Sequence, residues 1–179
     1  MGFVVGVGSR AVAAADSDGA RWVMIVEALD ESFAALLEGT PPDGLTLPDG
    51  PIETTAVLEM LRGLAGRVGA TFRPSAWLIV EDDEVVGLCS VMSLKPGGEI
   101  EIGYGVAACR RDRGIATRAV AAVLDWARQD PRVSGIRADT ATDNTPSQRV
   151  LERNGFQQVG QRVDPQDGQL ICWRRSTES

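Results

Sequence analysis

Arg111-Asp112-Arg113-Gly114-Ile115-Ala116-Thr117 gathers two guanidiniums, a glycine, an alanine and a hydroxyl just ahead of an apolar helical pattern. A helix N-terminus leaves backbone N–H groups without intrahelical partners and carries a partial positive charge. It can therefore hold a phosphate if nothing bulky blocks the approach. Gly114 and Ala116 leave that approach open, Thr117 can add a hydroxyl, and Arg111 and Arg113 add charge suited to a pyrophosphate or a 3′-phosphate. A basic, solvated helix start with a glycine for tight packing explains the same residues equally well. Upstream, Glu99 and Glu101 alternate with Ile100 and Ile102, a half-buried strand carrying both carboxylates on one face. Solvated glutamates are the competing reading. Tyr104, the only tyrosine, alternates onto the isoleucine face and reads as a core aromatic. The chain contains no histidine, which excludes Ser-His-Asp and Cys-His catalysis. Any proton acceptor must be a carboxylate, a water relay or another side chain.

These residues need elements to hold them. Phe3 to Val12 reads as a first strand, and Asp16 as the cap of a helix over 17–38 with Val23, Val26, Leu29, Phe33 and Leu36 at helical spacing. Thr40 to Pro51 holds four prolines and is expected to be an irregular connection. A second helix is predicted from about Ile52 to Val68, with Gly69 past its end. Ala76–Val80 and Val85–Met92 flank an acidic turn and form a hairpin pattern, extended into a meander by Glu99–Val106. Ile115, Ala119, Val123 and Trp126 then mark one face of a helix that Asp130-Pro131 closes. A strand over 135–140, a helix opened by Pro146, and a hairpin of 156–163 with 169–173 complete the order. The expectation is an α/β (α+β) chain with a single mixed, mainly antiparallel sheet and flanking helices.

The whole chain narrows the choices further. At 179 residues it can bury one sizeable core, and 44% hydrophobic content is ordinary for a globular protein. A net charge of -7 and a pI near 4.7 argue against a nucleic-acid or anionic-membrane surface and suit a cationic substrate, although solubility accounts for the charge as well. Cys89, Cys109 and Cys172 lie far apart, with no pair at metal-ligand spacing, so neither a zinc site nor a disulfide framework is indicated. The apolar run Phe3–Val7 has the wrong flanking charge order for a secretory signal, and no run approaches membrane-spanning length. A cytoplasmic protein is expected.

Taken together, the strand ending at Val106, Arg111-x-x-Gly114-x-Ala116 opening a helix, and the stretch from Asn144-Thr145-Pro146-Ser147 to Asn154-Gly155-Phe156 resemble the GNAT superfamily of acetyl-CoA-dependent N-acetyltransferases. The resemblance runs through most of 1–179 and is most specific from Glu99 to Phe156. It implies one N-acetyltransferase domain with a GNAT-like acyl-CoA N-acyltransferase fold, and acetyl-CoA as acyl donor without a metal. In that family the pyrophosphate rests on the turn corresponding to Arg111, Arg113, Gly114, Ile115, Ala116 and Thr117. The pantetheine arm runs where two strands splay apart, implying backbone contacts at Val106 and Ala108 and an amide contact at Asn144. Asp112 departs from the glycine that many members carry, and is expected to point away or pair with Arg110 or Arg113.

The same resemblance implies Glu101 as the base, with Glu99 as fallback, because an amine of pKa about 10.4 must lose a proton before it attacks. Ser147 matches the serine of the ribosomal-protein N-terminal acetyltransferase branch and is the candidate acid, whereas Leu151 stands where other branches carry a tyrosine. The expected acceptor is a primary amine, on a protein N-terminus or a small molecule; a homodimer is compatible with this reading. Two alternatives compete. Gly6-x-Gly8-x-x-Ala11 imitates a dinucleotide fingerprint, but Asp16-Ser17-Asp18-Gly19 interrupts the helix that should follow it. A catalytically idle CoA-binding module acting through protein partners differs from the enzyme only in turnover.

Overall fold

Alternating apolar side chains from 76 to 106 build the centre of the sheet. In the computed structural model, which describes residues 12–15 and 22–178, β3 (Ala76–Glu81), β4 (Glu84–Lys95) and β5 (Glu99–Val106) pair antiparallel in sequence order. Before them lie β1 (Val12–Ala15) and β2 (Trp22–Glu27), and after them β6 (Gly135–Ala141), β7 (Gln157–Asp164) and β8 (Gly168–Ser176). The eight strands form one sheet in the order β1-β2-β3-β4-β5-β6-β8-β7, antiparallel throughout except between β5 and β6. The expected mixed, mainly antiparallel sheet with flanking helices is the architecture found.

Both faces of the central strands are covered. Trp77 and Ile79 enter one core with Val123 and Trp126 of α3 (Ile115–Gln129) and Leu151 of α4 (Thr145–Arg153). Leu78 and Val80 enter the other with Phe33 and Leu36 of α1 (Asp30–Leu37) and Leu58 of α2 (Thr55–Gly69). Side chains of period 2 thus serve two apolar layers, which is why β3 is buried along its whole length.

One expectation is corrected. The predicted helix over 17–38 is a strand followed by a shorter helix. Val23 and Ile25 are fully buried while Trp22 and Met24 are not, and the run pairs with β1 and β3. A tryptophan and three β-branched residues in six favour the pleated surface, and the accidental i, i+3 spacing to Leu29 and Phe33 does not outweigh it. The helix starts only at Asp30. The early glycine pattern over 6–11 and Asp16 lie outside the described residues.

The second helix begins three residues later than expected, at Thr55, with the Thr54 side chain accepting from the Val57 N–H at 3.3 Å. Gly69 is its last residue, not the one beyond it. Ile52 is 7% exposed and anchors the chain just before that cap. The irregular connection over 40–51 is pinned at Thr46, which bridges to Glu84; the Thr46 N–H donates to the Asp83 carbonyl and the Val85 N–H to the Thr46 carbonyl.

The parallel pair positions the site. β5 and β6 are in register only from Glu99–Gly135 to Glu101–Arg137, and beyond that they part. The rest of β5, from Ile102 to Val106, stays paired with β4 on its other side. No helix among the described residues is long and apolar enough to cross a membrane.

Candidate active site

A cleft of about 690 Å³ opens where β5 leaves β6. Its floor is the end of β5 (Tyr104, Gly105, Val106). One wall is the turn and first residues of α3 (Arg111, Asp112, Gly114, Ile115, Ala116, Thr117), and the other is the first two turns of α4 (Asn144, Pro146, Ser147, Arg149, Val150) with Arg153 behind them. Glu53, from the segment ahead of α2, closes the remaining side.

The turn before α3 has the backbone geometry that an anion site requires. Asp112 and Gly114 both have positive φ, at 61° and 70°, and Gly114 is the left-handed N-cap of α3. Alternation of left- and right-handed residues turns successive backbone N–H groups into one concavity, at the positive end of the helix. A side chain at Gly114 would be strained by its φ, and its Cβ would lie 3.2 Å from Arg118 Nη1. Arg118 holds the turn from beneath: Nη1 donates to the Arg113 carbonyl at 3.1 Å and Nη2 to Glu81 Oε1 at 2.7 Å. Glu81 and Arg118 are both buried. Arg111 reaches back from the turn and donates from Nε to the Val106 carbonyl at 3.2 Å, joining the turn to the end of β5.

Opposite, Asn144 caps α4, its Oδ1 accepting from the Ser147 N–H at 3.2 Å. That bond uses the oxygen and leaves the amide nitrogen available as a donor. The Tyr104 hydroxyl donates to the Ser147 carbonyl at 3.2 Å. Burial pushes the Tyr104 phenol well above its ordinary value, so it stays protonated at neutral pH. Across the ladder from Tyr104, Cys89 is buried and its thiol is pushed up to about 12, which makes it a poor nucleophile.

Of the residues singled out from sequence, Val106, Arg111, Gly114, Ile115, Ala116, Thr117, Asn144 and Ser147 line this cleft together. Glu101, Ala108 and Arg113 do not. Ala108 starts the short turn Ala108–Arg110, outside the lining. Arg113 turns its guanidinium to Glu81, 3.5 Å away. Asp112 pairs with neither expected arginine, since Arg110 holds Glu84 at 2.7 Å; it lines the cleft instead. The Glu101 carboxylate is held by Ser93 Oγ at 2.7 Å and Lys95 Nζ at 2.5 Å. Burial raises its carboxyl, but the Lys95 and Ser93 contacts outweigh that and leave it below its ordinary value, an acceptor already engaged. Glu99 is likewise held, by Arg137 and Arg174.

Tyr104, Glu53, Arg149 and Arg153 are lining residues that the sequence did not reveal. Tyr104 does share the isoleucine face and packs against the core there, but at the end of β5 it also borders the cleft. The i, i+4 spacing of Arg149 and Arg153 was a legible signal for two cations on one helix face. Nothing in the sequence connects Glu53 to residues fifty positions later. Among the described residues no cluster of acidic or cysteine side chains is arranged to hold a metal ion.

Comparison with known proteins gives a consistent picture. Residues 47–157 match the family model described as an acetyltransferase (GNAT) domain. The uncharacterized N-acetyltransferase p20 of Bacillus licheniformis is 31% identical over 84 residues, 46% of this chain and 47% of that protein. The chain thus spans about half the length of the curated relatives it matches. Among solved structures, a GNAT-family acetyltransferase from Bacillus anthracis superposes with a TM-score of 0.66 at 17% identity, covering 95% of this chain and 100% of its own. Mycobacterium smegmatis RimJ, in complex with a CoA-disulfide, gives 0.64 at 22% identity over 96% of this chain and 87% of its own.

Proposed function

The chain belongs to the GNAT acetyltransferase family, and from that premise we propose that it transfers an acetyl group from acetyl-CoA directly to a primary amine. The observation that carries the proposal is the positive-φ turn at Asp112 and Gly114, which opens onto the gap between β5 and β6. Its backbone N–H groups at Ile115, Ala116 and Thr117, with Arg111 beside them, match the charge and hydrogen-bonding needs of a pyrophosphate. Acetyl-CoA supplies the activated thioester when bound. Asn144 offers an amide donor, and Val106 its backbone, to the extended arm of that molecule.

Two hydroxyl-bearing residues line the cleft as candidates to protonate a departing sulfur, Tyr104 and Ser147. The Tyr104 hydroxyl is positioned by its bond to the Ser147 carbonyl, while the Ser147 hydroxyl has no protein partner among the described residues. Glu101, held by Lys95 and Ser93 outside the cleft lining, is given no part in the transfer. The acidic chain and its free thiols support a cytoplasmic protein with a cationic acceptor and no nucleic-acid partner. The acceptor classes that fit this reading are a protein N-terminal amine and small-molecule amines.

A thiol-release assay with acetyl-CoA across peptides, polyamines, amino acids and aminoglycosides tests the proposal. Turnover with at least one primary amine is expected. Tight CoA binding with no release for any amine class would instead support an idle CoA-binding module.

A further inference from the structure

Glu53 is set apart from the glutamates of β3, β4 and β5. Glu81, Glu84, Glu99 and Glu101 are each paired with an arginine or lysine. Glu53 has no hydrogen bond or ion pair among the described residues, yet it lines the cleft beside Tyr104, Gly105 and Val106. Its carboxylate lies over the β5 backbone: a Cβ built on Gly105 would stand 3.0 Å from Glu53 Oε1, so the glycine leaves room for it. Its main chain is fixed on both sides, by the buried Ile52 and by the capping Thr54. This is a positioned, half-buried carboxyl group without a counter-ion among the described residues, at the β5 end of the cleft.

Resting on the acetyl-transfer reading, we propose that Glu53 receives the ammonium of the acceptor and takes its proton. Successive residues of a strand face opposite ways, so Tyr104 and the carboxylate lying over Gly105 approach the end of β5 from opposite faces. One N–H proton passes to the Glu53 carboxylate, and the freed nitrogen lone pair forms the new N–C bond. The C–S electron pair leaves with sulfur, the second N–H proton lost from the acylated nitrogen ends on that sulfur by way of the Tyr104 hydroxyl, and the proton held by Glu53 returns to solvent. An unpaired carboxylate also selects for cationic acceptors over neutral alcohols or thiols, since burying it against a neutral group leaves its charge uncompensated.

The test compares wild type with Glu53→Gln and Glu101→Gln, using trialanine, spermidine and kanamycin as acceptors and calorimetry with CoA. Glu53→Gln is expected to bind CoA within about twofold of wild type and to lose at least about 100-fold in kcat/KM at pH 7 for the best acceptor. That loss should shrink as free amine replaces ammonium, nearly tenfold per pH unit until the pH nears the acceptor's own pKa, about 8 for an N-terminal amine and about 10 for a side-chain amine. In CoA-saturated protein, the same acceptor should bind Glu53→Gln more weakly than wild type. Normal turnover and an unchanged pH profile in Glu53→Gln, or a loss confined to Glu101→Gln, overturns the role of Glu53 and leaves acetyl transfer standing. Wild-type protein that transfers acetyl to none of the three acceptors overturns the transfer reading itself, and this role with it.

Discussion

At the scale of single residues, the anion turn depends on a side chain that never faces the cleft. Arg118 spends one nitrogen on the Arg113 carbonyl and another on the buried Glu81, so it ties the turn to the end of β3. Replacing it by methionine keeps much of the volume but leaves Glu81 with only Arg113, at 3.5 Å. Breaking a buried pair from one side typically costs about 3–5 kcal/mol. The expected result for Arg118→Met is a loss of that order in chemical denaturation together with weaker CoA binding; wild-type values for both would show that the turn holds itself. Arg111 to Thr117 was legible because the residues are contiguous and their chemistry is local. Glu53 was not, because only the packing of Ile52 brings it to the end of β5. Glu101 looked free in the sequence, since its pairing with Lys95 and Ser93 depends on a register that shifts between Val91 and Ser93.

Between elements, the seam that matters is the short parallel pairing of β5 with β6. Glu99 sits at its closed end and is held by Arg137 of β6 and Arg174 of β8, so one carboxylate staples three strands below the gap. Burial raises its carboxyl, and the two guanidiniums more than compensate, leaving it below its ordinary value. A carboxyl lowered in the folded state contributes stability that is present above its unfolded value, about 4.3, and lost as pH falls through the folded one. Glu99→Gln should therefore be less stable than wild type by about 1–3 kcal/mol at pH 7, with the gap closing toward pH 3 in urea titrations. A gap that stays constant with pH would mean that the staple is not ionic. Most elements could be read from their pattern, because β3 and β4 are apolar runs bounded by turn residues, β5 opens on an alternation of Glu and Ile, and α3 keeps a helical repeat. β2 could not, because Val23, Val26 and Leu29 satisfy a helical spacing while Val23 and Ile25 satisfy a strand, and pairing with β1 and β3 decides between them.

For the whole molecule, the two core layers hold the sheet from both faces, while a single local departure, the parting of β5 and β6, creates the cleft. On the proposed reading, this cleft binds acetyl-CoA through the turn at Gly114. Isothermal calorimetry of CoA with wild type and Gly114→Glu tests it most directly, since a glutamate there adds a negative charge where the phosphates should lie and a Cβ where φ is 70°. Wild type should bind CoA, and the variant, with its fold checked by circular dichroism, should lose at least about 100-fold in affinity. Equal affinity in the two proteins would contradict the assignment of the turn.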